Sequence, residues 1–200
     1  MHVLIWTAVG FILGSLPLSL WLGRLVLHTD IRTYGDGNPG AANVWRAGGW
    51  KIGLTAVLLD SLKGAVPVSL ANVVFNVSEW GLVIVALAPI LGNVFSPFLG
   101  FRGGKAIAVT FGVWTGLTLW IGPTVLGILT ASFYVLQKSD TWAVILGMLV
   151  LGVIVTIVTF NEVTTIIWAS NMLIIIWTHR HNLHPFPVLR PWIMNSIRRL

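Results

Sequence analysis

Cysteine is absent from this 200-residue chain, which excludes a disulfide framework, a thiolate nucleophile and a thiolate metal site. Carboxylates are nearly as scarce, with six Asp and Glu in all. Three metal ligands cannot be assembled from so few, and no cofactor is implied. Charged residues of both signs make up 9% of the chain, against roughly 25% in a soluble domain. Hydrophobic residues reach 56%, and the mean hydropathy is +0.89. These values exclude an ordinary water-soluble domain. The chain reads as an all-α integral membrane protein, a single polytopic domain over residues 1–200.

Apolar runs able to cross a bilayer, at about 20 residues per helix, are Val3–Leu22, Ile52–Val77, Trp80–Leu99, Ile107–Ile121, Thr124–Leu136, Trp142–Phe160 and Val163–Trp177. The first, second, third and sixth are long enough to span. The fourth and fifth are short and share a Gly122-Pro123 turn, so they form either two spans or a re-entrant hairpin. The start, Met1-His-Val-Leu-Ile, lacks a basic segment, and no cleaved signal peptide is expected.

The net charge of +6 raises the question of nucleic acid, but its distribution answers otherwise. Alternate loops carry Arg24, Arg32, Arg46 and Lys51, then Arg102 and Lys105, then Lys138, then Arg180, Arg190, Arg198 and Arg199. The opposite loops hold no Lys or Arg. The positive-inside rule places the N-terminus outside and the C-terminus in the cytoplasm, whichever way 107–136 is arranged. The basic excess therefore reads as topology and contact with anionic membrane lipids, not nucleic acid. Trp6, Trp21, Trp80, Trp142 and Trp177 fall near span ends, as an interfacial belt does. Within the second span, Asp60 and Lys63 share a helix face, either as a structural ion pair or as functional charges.

The polar islands all fall on the basic side. Tyr34–Arg46 is a glycine-rich loop in which Gly35, Gly37 and Gly40 permit close backbone approach. Asp36 lies inside it, Asn38 and Asn43 offer donors and acceptors, and Arg46 supplies a fork for phosphate oxygens. In Gly100–Lys105, the Gly103 and Gly104 amides precede Lys105 near a helix start, a setting that suits an anion. His179 and Asn182 follow the last span and share a face if the helix continues. There, His179 orients a hydroxyl or shuttles a proton, or else serves as an interfacial anchor.

Taken together, Gly14-Ser15, Gly35-Asp-Gly-Asn-Pro-Gly-Ala-Ala-Asn-Val-Trp-Arg46, Leu59-Asp-Ser-Leu-Lys-Gly64, Gly92-Asn-Val-Phe-Ser-Pro-Phe-Leu-Gly-Phe-Arg-Gly-Gly-Lys105 and His179-Arg-His-Asn182 carry a resemblance over most of the chain. The chain resembles the bacterial acyl-phosphate-dependent glycerol-3-phosphate acyltransferases, the PlsY family, which are seven-helical with an external N-terminus. The resemblance implies transfer of a fatty acyl group from acyl phosphate to glycerol 3-phosphate in the bacterial cytoplasmic membrane. Catalytic roles then fall to Arg46, Lys105 and His179. Substrate contacts fall to Asp36, Asn38, Gly40, Asn43, Gly103, Gly104 and Asn182. Departures are Asp36 for the family's Ser, Ala42 for Thr, Asn93 for His, and Lys138-Ser-Asp-Thr-Trp142 for a serine-bearing loop. A relative with another acceptor, or a non-catalytic anion-binding or transport protein, stands as the alternative. Oligomeric state is not legible.

Overall fold

The computed structural model describes residues 1–159 and 161–197. Phe160, Arg198 and Arg199, named above, lie outside the described residues. All the described elements are helical, apart from one isolated antiparallel bridge between Gln137 and Leu189. The chain divides into two compact units, Met1–Trp120 and Ile121–Leu200.

The first unit contains α1 (His2–Ser15), α2 (Leu18–Val26), α3 (Ala41–Ser69), α4 (Glu79–Val94) and α5 (Ile107–Thr118). Pro17 separates α1 from α2. It has no amide hydrogen and holds the preceding Leu16 extended at φ −62° and ψ 124°. Such a break strands carbonyl groups in a segment apolar enough for a bilayer, where water cannot satisfy them. Side chains from distant positions take them up. Lys63 Nζ donates to the Leu16 carbonyl at 2.9 Å, and Ser96 Oγ donates to the Ser15 carbonyl at 2.6 Å. Lys63 also pairs with Asp60 at 2.8 Å, and Ser19 Oγ donates to the other Asp60 oxygen at 2.5 Å. Both members of the pair are buried.

Helix pairs in this unit meet at glycine. A side chain at Gly14 would strike the Pro89 backbone, and one at Gly92 would strike the Phe11 carbonyl, so α1 and α4 pack backbone to backbone. At Gly112 and Gly116, α5 does the same against Ser61 and Val68 of α3. Small residues at such seams let helices gain packing where lipid supplies no hydrophobic drive. The outward faces carry exposed Leu4, Ile12, Leu58 and Leu62, as expected of surfaces that meet hydrocarbon.

The second unit contains α6 (Ile121–Leu136), α7 (Asp140–Thr159), α8 (Glu162–His179), a 3-10 turn over Arg180–Asn182 and α9 (Pro191–Ile197). Asn161 caps α8 by accepting from the Thr164 amide at 2.9 Å. Gly147 lets α7 approach Thr130 of α6, and Gly152 faces the indole of Trp168 on α8. Arg190 donates to the Tyr134 and Gln137 carbonyls, tying the segment before α9 to the end of α6.

Four helical stretches are long and apolar enough to cross a membrane: His2–Val26, Ala41–Val74, Glu79–Leu99 and Asp140–Val158. They coincide with the four runs singled out from sequence. Two boundaries differ. α3 starts at Ala41, so the second half of the supposed 34–46 loop is helix. Gly49, at φ 75° and ψ −175°, is non-helical and kinks α3 internally. The expected Gly122-Pro123 turn lies within α6. The irregular residue is instead Leu119, at φ 56° and ψ −125°. Pro123 fits the first turn of a helix because no intrahelical partner awaits its missing N–H there.

Candidate active site

The two polar islands of the first unit converge. Gly35 and Gly37 adopt positive φ of 55° and 73°, turning the chain tightly on either side of Asp36. Gly35 is also sterically required, since a Cβ there would strike Asn43 Oδ1 and lie 2.8 Å from Arg46 Nη1. The turn ends at Gly40, the N-cap of α3, where no side chain caps the helix. The positive end of α3 thus opens beside the loop.

Asp36 is the hub. One carboxylate oxygen pairs with Lys105 Nζ at 2.8 Å. The other accepts from the Asn43 amide nitrogen at 3.1 Å and from the Asn38 backbone N–H at 3.2 Å. Asn43 is buried and uses both ends of its amide. Its nitrogen also donates to the Asn38 carbonyl at 2.9 Å, and its oxygen accepts from Arg46 Nη1 at 2.8 Å. Arg46 and Lys105 are thereby linked through Asn43 and Asp36. Burial pushes the Asp36 carboxyl upward. The Lys105 ammonium and the donors of Asn38 and Asn43 outweigh it and hold the pKa below the ordinary carboxylate value.

Gly103 and Gly104 depart from the expectation that their amides face an anion. They donate to the Val94 and Asn93 carbonyls at 3.0 and 2.9 Å, satisfying the end of α4. A Cβ on Gly103 would strike the Asn93 carbonyl, and one on Gly104 would come within 2.9 Å of Asn93 Oδ1. These glycines press the segment against α4 and so fix the backbone that carries Lys105. Lys105 itself precedes the N-cap Ala106, which stands at φ 58° before α5 begins at Ile107.

His179 and Asn182 belong to the second unit. His179 ends α8, with Nδ1 2.8 Å from the Ile175 carbonyl. Only a protonated Nδ1 bonds to a carbonyl, so a neutral ring keeps its acceptor lone pair on Nε2. Asn182 ends the following 3-10 turn instead of a continued helix.

Sequence reasoning passed over Ser19 and Ser96, which complete the polar belt around the α1–α2 break. Pro17 inside an otherwise spanning run was the available signal, because it guarantees carbonyls in need of donors.

The glycerol-3-phosphate acyltransferase family model matches residues 4–186. Glycerol-3-phosphate acyltransferase 1 of Thermotoga maritima is 40% identical over 192 residues, covering 89% of this chain and 94% of that one. The glycerol-3-phosphate acyltransferase of Thermus thermophilus is 37% identical over 188 residues, covering 92% and 91%. Among solved structures, PlsY, an integral membrane glycerol 3-phosphate acyltransferase, in its glycerol 3-phosphate form aligns with a TM-score of 0.85 at 27% identity, covering 92% of this chain and 90% of that one. Its lysophosphatidic acid form gives 0.83 at 25% identity. The chain belongs to the glycerol-3-phosphate acyltransferase family of integral membrane proteins.

Proposed function

We propose that this protein transfers a fatty acyl group from acyl phosphate to the sn-1 hydroxyl of glycerol 3-phosphate, yielding lysophosphatidate and inorganic phosphate for phospholipid synthesis. The observation that carries this reading is the joining of Arg46 and Lys105, through Asn43 and Asp36, at the open N-terminus of α3 in a member of this family.

Acyl phosphate is a mixed anhydride with a good leaving group, so the reaction needs no covalent enzyme intermediate. The acceptor hydroxyl attacks the acyl carbon, the bond from that carbon to the phosphate oxygen breaks, and phosphate leaves with the electron pair. What the protein must supply is alignment of two anions and cations where charge develops. Arg46 and Lys105 provide the cations. Asn38, Gly40 and Asn43 shape the phosphate-facing loop, and the family resemblance alone gives Asn182, in the second unit, a contact to the glycerol phosphate. The family resemblance alone gives His179, in the second unit, the role of taking the hydroxyl proton. A carboxylate at position 36 looks repulsive beside two anionic substrates, but pairing with Lys105 offsets that objection.

The charge distribution supports an N-terminus outside, a C-terminus in the cytoplasm and a cytoplasm-facing site, with about seven helices in the membrane, 107–136 being two spans or a re-entrant hairpin, and the whole chain acting as one domain. The acyl chain lies in the bilayer between spans. In the assay that tests this, purified protein releases phosphate from palmitoyl phosphate only when glycerol 3-phosphate is added. Lys105→Ala abolishes the release. Release without acceptor, or only with another alcohol, overturns the reading.

A further inference from the structure

Three donors of different kinds converge on the Asp36 carboxylate: the Lys105 ammonium, the Asn43 side-chain amide and the Asn38 backbone N–H. An ammonium, a neutral amide and a main-chain N–H in one cluster make the donor set of a phosphate-oxygen site. Here an anion from the protein itself fills it. The fit is local and reversible in design. The Asp36 side chain is 32% exposed, and its partner Lys105 is 18% exposed. A Cβ placed on the adjoining Gly37 would meet only the Arg32 carbonyl, at 3.6 Å, so the space beside the hub is open. The flanking residues Gly35 and Gly37 bring no side chains to hold Asp36 in.

We propose that Asp36 is a tethered counter-anion that determines how strongly the site holds phosphate: a substrate phosphate group enters by exchanging places with the Asp36 carboxylate at Lys105, and Asp36 returns as the phosphate-bearing product leaves. The proposal rests on the acyltransfer reading for the identity of the phosphates, but not for the exchange itself. In the empty site the tethered carboxylate keeps the ammonium paired and the loop in register. During binding it competes, because the site is available only in the fraction of molecules whose carboxylate has let go. A partly exposed ion pair of this kind is worth little, so the competition is modest and phosphate displaces it readily. The same competition limits retention of the phosphate product. Asp36 is a specificity-determining and positioning residue here, not a catalytic one.

The full-length protein in detergent tests this with inorganic phosphate and glycerol 3-phosphate as the probes. Asp36→Asn keeps the shape and removes the charge. It is expected to lower the inhibition constant for inorganic phosphate and the KM for glycerol 3-phosphate about threefold to tenfold. Asp36→Ser is expected to act in the same direction, and thermal unfolding confirms that each variant is folded. Unchanged or weakened phosphate inhibition in the folded variants overturns the proposal, as does a loss confined to kcat. Calorimetric titration of inorganic phosphate into wild type and variant separates the two readings. Tighter binding to Asp36→Asn upholds the exchange even if acyltransfer to glycerol 3-phosphate is not seen. Equal or weaker binding overturns it even if that activity is robust.

Discussion

Asn43 and Arg46, one helical turn apart at the start of α3, are joined by a 2.8 Å hydrogen bond in which the guanidinium donates to the amide oxygen. The same amide donates its nitrogen to Asp36, so a buried asparagine sets the position of the cation and of the acidic hub together. Hydrogen bonds to charged groups contribute about 1.5–3 kcal/mol. Asn43→Ala is therefore expected to lower kcat/KM by one to two orders of magnitude, approaching the loss from Arg46→Ala. A double-mutant cycle on kcat/KM checks this: the two losses are expected to be far from additive, and simple additivity contradicts the coupling.

Lys63 and Asp60 are buried with Ser19 and the Leu16 carbonyl as their other partners. Removing one charge strands the other in a low-dielectric interior, at about 3–5 kcal/mol. Lys63→Met is expected to lower the unfolding midpoint in detergent sharply. The pair Asp60→Asn with Lys63→Met is expected to recover most of that loss, because no uncompensated charge remains. Equal stability of the single and double variants would show that the pair has no such role.

Gly35 and Gly37 differ in what a methyl group would meet. Both have positive φ, but the space around Gly37 is open, whereas Gly35 faces Asn43 and Arg46. Gly37→Ala is expected to cost about 1–2 kcal/mol of local backbone strain with most activity kept. Gly35→Ala is expected to displace both functional side chains and remove activity. Parallel measurement of kcat/KM and thermal stability for the two variants checks the contrast.

Asp36 titrates below its ordinary value. A carboxyl whose folded pKa is depressed contributes stability above the unfolded pKa of about 3.9, and loses it as the pH falls through the lower folded value. The difference in thermal midpoint between wild type and Asp36→Asn is expected to be flat above about pH 5 and to shrink below about pH 4. Asp30, held well below its ordinary value by the hydrogen-bonded Arg32 guanidinium, contributes equally in both proteins and cancels. A difference that grows on acidification would contradict this assignment.

The sequence by itself determined the solvent and the parts. Run length and the near-absence of charge settled which four segments are long enough to span, because burial in hydrocarbon depends on local composition. Glycines at 35 and 37 marked a turn for equally local reasons of backbone geometry, whereas the break at Pro17 went unread inside the first apolar run. Family membership too was readable from ordered motifs. Only the tertiary structure decided the pairings. Asn43 and Arg46 sit on helix because α3 starts eleven residues before the apolar run that announced it at Ile52, and its opening turns are too polar for hydropathy to register. The Gly103 and Gly104 amides serve the end of α4, since a backbone donor bonds to whichever acceptor the fold brings near. Asp36 reads as a liability in sequence and meets Lys105 in space, because hydrogen bonds and ion pairs between distant segments have no signature in either segment alone.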